Sequence, residues 1–167
     1  IIAEGYNFII VDSAGLACGA EPERAEAATS YYRALRSLRL DGSITIAHHS
    51  RTEDKYPFGS VYWWNCMRSI WLMRNDQADN RNPFHVGLFH RKSNHGVLEE
   101  PQGYKVEFAG ELIVLENTDV RRIKTLREHL GDTTKVLVAI QEFVKANNQG
   151  PTREELAEDT GLSRGVI

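Results

Sequence analysis

The distribution of apolar and polar positions predicts an α/β fold at the start of the chain. Residues 7–12 form an apolar run, typical of a strand covered on both faces in a parallel sheet. Between residues 22 and 38, apolar side chains recur every three or four positions and predict an amphipathic helix. β-Branched residues within 43–50 predict a second strand. Strand, helix and strand in this order favour a right-handed βαβ crossover.

The following part of the chain is predicted to finish the sheet with antiparallel strands. Its predicted elements are a polar and aromatic loop (51–60), a short helix that Ser60 caps, strands at 69–73 and 84–90, and a hairpin at 103–117 turning at Ala109–Gly110. Strands that alternate with helices and then pair antiparallel indicate an α/β fold with a mixed sheet.

Residues 118–167 have the pattern of helices rather than strands. A helix with one apolar face is followed by a short helix that opens with a Thr-x-x-Glu capping box, Thr152 and Glu155. Ser163 begins a third helix with room for one turn. Three helices with a tight glycine turn between the last two are typical of a helix-turn-helix. We therefore predict an α/β part, 1–117, and a truncated, winged-helix-like tail.

Composition narrows the class of protein only modestly. The chain has 167 residues, of which 41% are hydrophobic and 26% charged, as in ordinary soluble globular proteins. Its net charge of −3 shows no general basic excess, so any contact with nucleic acid must come from a local patch. No apolar run approaches about 18 residues, so no membrane partner is expected. Cys18 and Cys66 are expected to be free thiols, which favours a cytoplasmic location.

Residues that could carry chemistry follow the first two predicted strands. Asp12 ends the first strand, and His48 and His49 end the second. Ligands of open parallel sheets bind at the carboxyl ends of strands. An acid there can hold Mg²⁺ through water, and a histidine can sense a terminal phosphate. The alternative is that Asp12 caps a helix and that the histidines are ordinary loop residues.

The sequence lacks the segment that normally holds the phosphates of a nucleotide. A phosphate loop has the form G-x-x-x-x-G-K-[ST] and surrounds the phosphates with backbone N–H groups and a lysine. The sequence contains no Gly-Lys dipeptide. We therefore expect that this chain alone binds no nucleotide tightly and does not hydrolyse ATP.

Four stretches follow one another in the order seen in RecA-like ATPase cores: FIIVDSAG, SITIAHHSR, PFGSVYWWNCMRSIWLM and VGLFHRKSNHG. They most resemble the hexameric RepA-type replicative helicases of plasmids and phages, over roughly 5–117. The resemblance implies an incomplete RecA-like mixed sheet with flanking helices. It implies that Asp12 is the Walker B acid, which holds Mg²⁺ through water, and that Ser13 is the small residue after it. His49, with His48 beside it, matches the sensor at the strand end.

The same resemblance implies a contact with DNA and a contact with a neighbouring subunit. Residues 51–59 match the mobile loop that touches single-stranded DNA in the central channel of the family. The loop mixes basic and aromatic side chains, which suit phosphates and bases, although a plain solvated loop remains the alternative. Its candidate DNA contacts are Arg51, Lys55 and Tyr56. Arg91 and Lys92 match a basic pair that reaches the ATP site of the next subunit.

The resemblance implies a parent protein that binds ATP and Mg²⁺, forms a hexamer and acts in DNA replication or repair. In the family, the phosphate loop and the catalytic Glu precede the Walker B strand, so both are expected before Ile1. The strand of the phosphate loop would lie between the strands at 43–49 and 69–73. Its absence predicts a gap in the sheet, with self-association through strand edges or a repacked sheet. The alternative function is a non-catalytic DNA-binding or regulatory module, with the α/β part as a scaffold for the helix-turn-helix.

Overall fold

The computed structural model describes residues 5–49, 56–76 and 82–167, which form a mixed α/β fold in two compact units. The first unit spans residues up to Ile70 together with Arg91–Gly96, and the second comprises Trp71–His90 and Val97–Ile167. The boundary predicted after residue 117 lies inside the second unit.

The first unit contains the strand, helix and strand expected from the apolar pattern. Its elements are β1 (Phe8–Asp12), α1 (Ala14–Ala17), α2 (Ala25–Ser37), β2 (Gly42–Ile46) and α3 (Tyr62–Asn65). Strands β1 and β2 pair in parallel, with Asp12 opposite Ile46. One face of the pair is covered, since the hydroxyls of Tyr31 on α2 and Thr45 on β2 are hydrogen-bonded at 3.0 Å.

Aromatic side chains form the core of this unit. Tyr31, Tyr32 and Trp63 pack with ring centroids 5.2 to 5.4 Å apart, and only 2% of Trp63 is exposed. The indole Nε1 of Trp63 donates to the carbonyl oxygen of Pro22 at 2.8 Å, so the buried ring has its polar atom satisfied. Gly59 lies against the same carbonyl with φ +105°, and a Cβ there would meet the oxygen at 2.4 Å.

The second unit is built on a four-stranded antiparallel sheet with the strand order β3-β4-β5-β6. Its strands are β3 (Ser69–Asn75), β4 (Phe84–Ser93), β5 (Gln102–Ala109) and β6 (Leu112–Thr118), of which β3 and β4 also contribute residues to the first unit. The predicted hairpin is β5–β6. Its turn comprises Gly110 and Glu111 rather than the predicted Ala109–Gly110, because Ala109 still pairs with Leu112. Gly110 adopts φ +65°, a conformation that glycine adopts at no steric cost.

Helices follow the sheet and complete the core of the second unit. They are a 3-10 turn (Val120–Arg122), α4 (Lys124–Arg127), α5 (Asp132–Asn147) and α6 (Arg153–Thr160). One buried hydrophobic cluster joins Phe89 of β4 with Val120, Leu126 and Leu130. The strands before residue 117 and the helices after it therefore share one core. No helix in the described ranges is long and apolar enough to cross a membrane.

Three elements differ from the sequence prediction. Strand β2 ends at Ile46, before the histidines, because the chain there turns into the base of the next loop. The stretch predicted as a loop after Asp12 contains the short helix α1. Ser163 opens a single turn, in which its carbonyl accepts from the N–H of Val166 at 2.9 Å, and the helix predicted to begin there is not formed: α6 is the last helix within 82–167.

Candidate functional site

The parallel pairing of β1 and β2 brings the predicted acid and histidines to one edge. Asp12 is the last residue of β1, and its register partner Ile46 is the last residue of β2. His48 and His49 follow Ile46 by two and three positions. The side chains of Asp12, His48 and His49 are all exposed at this edge, where a polar ligand can reach them.

Asp12 is not a helix cap, which removes one alternative for its role. Ser13 is the N-cap residue of α1, and its carbonyl accepts from the N–H groups of Leu16 and Ala17 at 3.2 and 3.1 Å. A cis peptide bond joins Asp12 to Ser13. Ser13 itself is buried, so the carboxylate is the exposed polar group at this strand end.

The two histidines form the base of the loop that follows β2. The carbonyl of His48 accepts from the N–H of Phe58 at 2.7 Å, and His49 forms an antiparallel bridge with Pro57. The loop therefore leaves and returns at the edge that carries Asp12.

The proposed DNA contacts are described only in part. Arg51 and Lys55 lie outside the described residues. Tyr56 is exposed, and its ring packs edge-to-face on Trp64 with centroids 5.0 Å apart. The contact with the indole helps to fix the position of the exposed Tyr56 ring, and aromatic side chains of this kind can stack on bases.

Arg91 and Lys92 occupy consecutive positions of β4, so their side chains point to opposite faces of the strand. The Lys92 ammonium donates to the carbonyl oxygens of Trp64, Asn65 and Met67 at 2.8, 3.2 and 2.8 Å. These carbonyls lie at the end of α3, where a helix leaves backbone acceptors unsatisfied. Lys92 therefore has a structural role within the chain. Arg91 is half-buried, and a role for either residue at a neighbouring ATP site stays a prediction.

Asp76 and His85 form a polar pair in the second unit that the sequence pattern did not predict. His85 donates its backbone N–H to Asp76 Oδ1 at 2.5 Å, and its Nδ1 lies 2.7 Å from Asp76 Oδ2. Burial raises the pKa of Asp76, but the hydrogen bonds and the charge attraction from His85 outweigh it, so the pKa lies below its usual value. Nine positions separate the two residues, and no sequence motif joins them.

The chemistry of Asp12 suits Mg²⁺ bound through water. Within residues 5–49, 56–76 and 82–167, no three His, Cys, Asp or Glu side chains converge to form a metal cage. Magnesium rarely uses such a cage, because it keeps several waters and binds one or two carboxylates together with substrate phosphates. One exposed carboxylate at a strand end therefore fits this mode of binding.

Comparison of the chain with models of protein families, with curated proteins and with solved structures found no match. Evidence for a function comes from the geometry of the chain itself.

Proposed function

We propose that the edge formed by Asp12, His48 and His49 is the acidic half of an ATP site in a RecA-like, DNA-dependent ATPase of the RepA helicase type or a related DNA-repair ATPase. The observation that carries the proposal is the parallel register that places Asp12 opposite Ile46, with both histidines just beyond. In this proposal, an acid on one strand can hold Mg²⁺ through water, and an imidazole on its neighbour can contact the terminal phosphate of a nucleotide at this edge.

Each side chain has a distinct task in this proposal. Bound ATP and Mg²⁺ supply the reacting phosphate and the charge that neutralises it. Asp12 accepts hydrogen bonds from waters of the metal and fixes its position through them. His49 contacts the terminal phosphate with its imidazole and, through its bridge to Pro57, couples that contact to the DNA-binding loop.

Two further observations support a site that is completed by chain outside residues 1–167. The first is that β2 and β3 belong to different sheets, and the resemblance puts the strand of the phosphate loop between them. The second is the open face of the β1–β2 pair, where Phe8, Ile10, Ile44 and Ile46 are between 44% and 60% exposed. Parallel sheets are normally covered on both faces.

In this proposal, Arg91 makes the contact with a neighbouring subunit. Lys92 is held by three carbonyl oxygens of its own chain, and the opposite face of β4 carries Arg91. An arginine supplied across a subunit boundary stabilises the charge that develops on the transferred phosphate. The proposal therefore includes assembly of the parent protein into a ring, in which single-stranded DNA meets the loop at 51–59.

The alternative function, a DNA-binding module, has less support in the geometry. Arg127 donates to both carboxylate oxygens of Glu142, and Arg121 forms an ion pair with Glu100 at 2.7 Å. These arginines belong to the most basic stretch of the tail, and intramolecular pairing reduces what they can offer to phosphates. Helix α6 has the sequence REELAEDT, in which acidic residues predominate.

The proposal can be tested on the chain as it stands with Mn²⁺–ATP and NMR. Mn²⁺ prefers the same oxygen ligands as Mg²⁺, and its unpaired electrons broaden signals of nearby nuclei even when binding is weak. We expect selective broadening at Asp12, Ser13, His48 and His49, and its loss in Asp12→Asn.

Asp41→Asn is the matched control for this experiment. Asp41 precedes β2, at the opposite edge of the same strand pair, and accepts from Asn7 Nδ2 at 2.8 Å. The control is expected to keep the broadening at the Asp12 edge. Broadening that survives Asp12→Asn, or that never concentrates at this edge, would refute the proposed half-site. Turnover of Mg–ATP by the unmodified chain would also contradict it.

A further inference from the structure

Strand β6 has the sequence of a central strand but lies at the edge of its sheet. Leu112, Ile113, Val114 and Leu115 are consecutive, and they are 68%, 62%, 39% and 64% exposed. Continuous apolar runs are typical of strands with neighbours on both edges and cover on both faces. Among the described residues, β6 pairs with β5 alone. Natural edge strands carry charges, prolines or bulges that prevent further pairing, and this apolar run has none.

The hydrogen bonds of Phe108 reveal which backbone groups of β6 face outward. Phe108 is opposite Ile113 in the hairpin. Its N–H donates to Asn82 Oδ1 and its carbonyl accepts from Asn82 Nδ2, each at 2.8 Å. The backbone of Phe108 thus points away from β6, and Phe108 and Ile113 form a non-hydrogen-bonded pair. Because such pairs alternate along an antiparallel ladder, Ile113, Leu115 and Asn117 direct their backbone groups to the open edge.

We propose that β6 pairs antiparallel with β6 of a second copy of this chain, with Val114 on the two-fold axis. In this register Ile113 and Leu115 of one copy lie opposite Leu115 and Ile113 of the other, and their outward backbone groups exchange hydrogen bonds. The two Val114 residues form the central non-hydrogen-bonded pair. The two four-stranded sheets join into one sheet of eight strands.

The hydrogen-bonding phase, the charges and the number of paired residues together favour this register. Centring the pair on Ile113 would pair only residues 112–114 of β6, and centring it on Leu115 would place Glu111 opposite Asp119 as like charges. The backbone groups of β6 that face outward belong to odd-numbered residues, so an odd-numbered residue of one copy must lie opposite an odd-numbered residue of the other. That condition excludes the register in which Glu111 and Glu116 would oppose each other as like charges. With Val114 at the axis, Glu116 lies opposite Leu112 and Glu111 opposite Asn117, so no like charges meet. The strand therefore meets these conditions against itself, which favours a second copy of the chain as its partner.

The sheet face that carries Ile113 and Leu115 also favours a protein partner over nucleic acid. The hairpin register places Ile113 and Leu115 on the same face as Phe108 and Val106. Every position of β5 and β6 on this face, from Gln102 to Phe108 and from Ile113 to Asn117, is uncharged. Phosphates require basic side chains, whereas strand pairing requires only backbone groups and apolar neighbours.

A cysteine at the axis tests the register directly. In a non-hydrogen-bonded antiparallel pair the Cα atoms are about 4.5 Å apart, a separation that a disulfide bond can span. We expect Val114→Cys to form a covalent dimer on mild oxidation. In the same register, the two residues at position 112 are about 14 Å apart along the paired strands, so Leu112→Cys should not cross-link.

The unsubstituted chain, with Cys18 and Cys66, controls for cross-linking through the native thiols. Light scattering after gel filtration should give it twice the monomer mass of 18.9 kDa. A monomeric mass would overturn the proposal, and so would equal cross-linking of Val114→Cys and Leu112→Cys. No cross-linking of Val114→Cys would overturn the register.

Two double variants provide a test that needs no oxidation. In the proposed register, Ile113→Lys with Leu115→Lys places like charges opposite each other twice per dimer. Ile113→Lys with Leu115→Glu places opposite charges there instead, at the same cost in apolar area. We expect the dissociation constant of the first variant to be at least about tenfold larger than that of the second. Equal dissociation constants would overturn the register, and circular dichroism checks that both variants keep their strands.

Discussion

Replacing Lys92 with Met should destabilise the first unit more than any other substitution of an exposed or half-buried lysine. The change keeps the aliphatic stem and removes the ammonium that binds three carbonyl oxygens at 2.8, 3.2 and 2.8 Å. A hydrogen bond to a charged group contributes about 1.5–3 kcal/mol. The three bonds share one half-buried ammonium, so we expect a total loss of about 2–3 kcal/mol rather than the sum.

That loss is measurable by urea denaturation with two local probes. About 2 kcal/mol lowers the folding equilibrium constant roughly 30-fold. Trp63 and Trp64 lie in the same unit as Lys92, and a Trp71→Phe background removes the third tryptophan. Hydrogen exchange of the amides in residues 62–67 should accelerate in parallel, because α3 loses the group that holds its end.

Lys145→Met, an exposed position late in α5, is the matched control and should change stability by less than about 0.5 kcal/mol. Unchanged stability of Lys92→Met would refute the structural role. It would mean that the ammonium does not hold α3, and Lys92 would again be a candidate for the contact with a neighbouring subunit. Restoration of stability by Lys92→Arg is not expected, because a planar guanidinium cannot direct three donors at the same three oxygens.

Three other predictions concern stability. Asp76→Asn should make the free energy of unfolding less sensitive to acid. The pKa of the Asp76 carboxyl is lowered in the folded state, so its contribution to stability is present above the ordinary value of 3.8 and is lost as the pH falls further. Urea titrations between pH 6 and pH 2.5 should therefore show a smaller decline in the free energy of unfolding for the variant than for the unsubstituted chain. Gly59→Ala should lower the free energy of unfolding by more than about 1 kcal/mol, because φ is +105° and a Cβ would approach a carbonyl oxygen to 2.4 Å. Gly15→Ala, with open space around it, should lower it little, and thermal melts of both variants would show the difference. Phe89→Ala should cost about 3–5 kcal/mol in urea denaturation, because only 2% of the side chain is exposed, and a loss below about 1 kcal/mol would contradict the packing of the second core.

Elements whose apolar pattern is long and regular were predictable from the sequence. The run that forms β1 and the periodic positions of α2 formed where the pattern placed them, and the hairpin formed with its turn one position after the predicted Ala109–Gly110. The capping box of α6 also formed, with Glu155 Oε2 accepting from the N–H of Thr152 at 2.7 Å. These features depend on interactions between residues a few positions apart, so they can be recognised from the sequence alone.

Features that depend on distant contacts were not predictable. The stretch after Asp12 has the glycines of a loop, yet it forms α1 because Ala14 is buried against the aromatic core. Lys92 looked like half of a basic pair, and only the fold shows that it binds the end of α3. The pairing of Asp76 with His85 required β4 to return beside the end of β3. In each case the deciding partner lies many positions away in the sequence.

The open apolar surfaces of the two units require different partners. The β1–β2 pair has one uncovered face, and the segment that would complete the Asp12 site would also supply neighbouring strands and cover there. Among the described residues, strand β6 has no partner along its outer backbone edge, and such an edge is a template for pairing with another strand. Asp12 belongs to the first unit and β6 to the second, and the two proposals invoke no residue in common. The Mn²⁺–ATP experiment and the Val114→Cys experiment therefore test independent statements, and either can fail while the other succeeds.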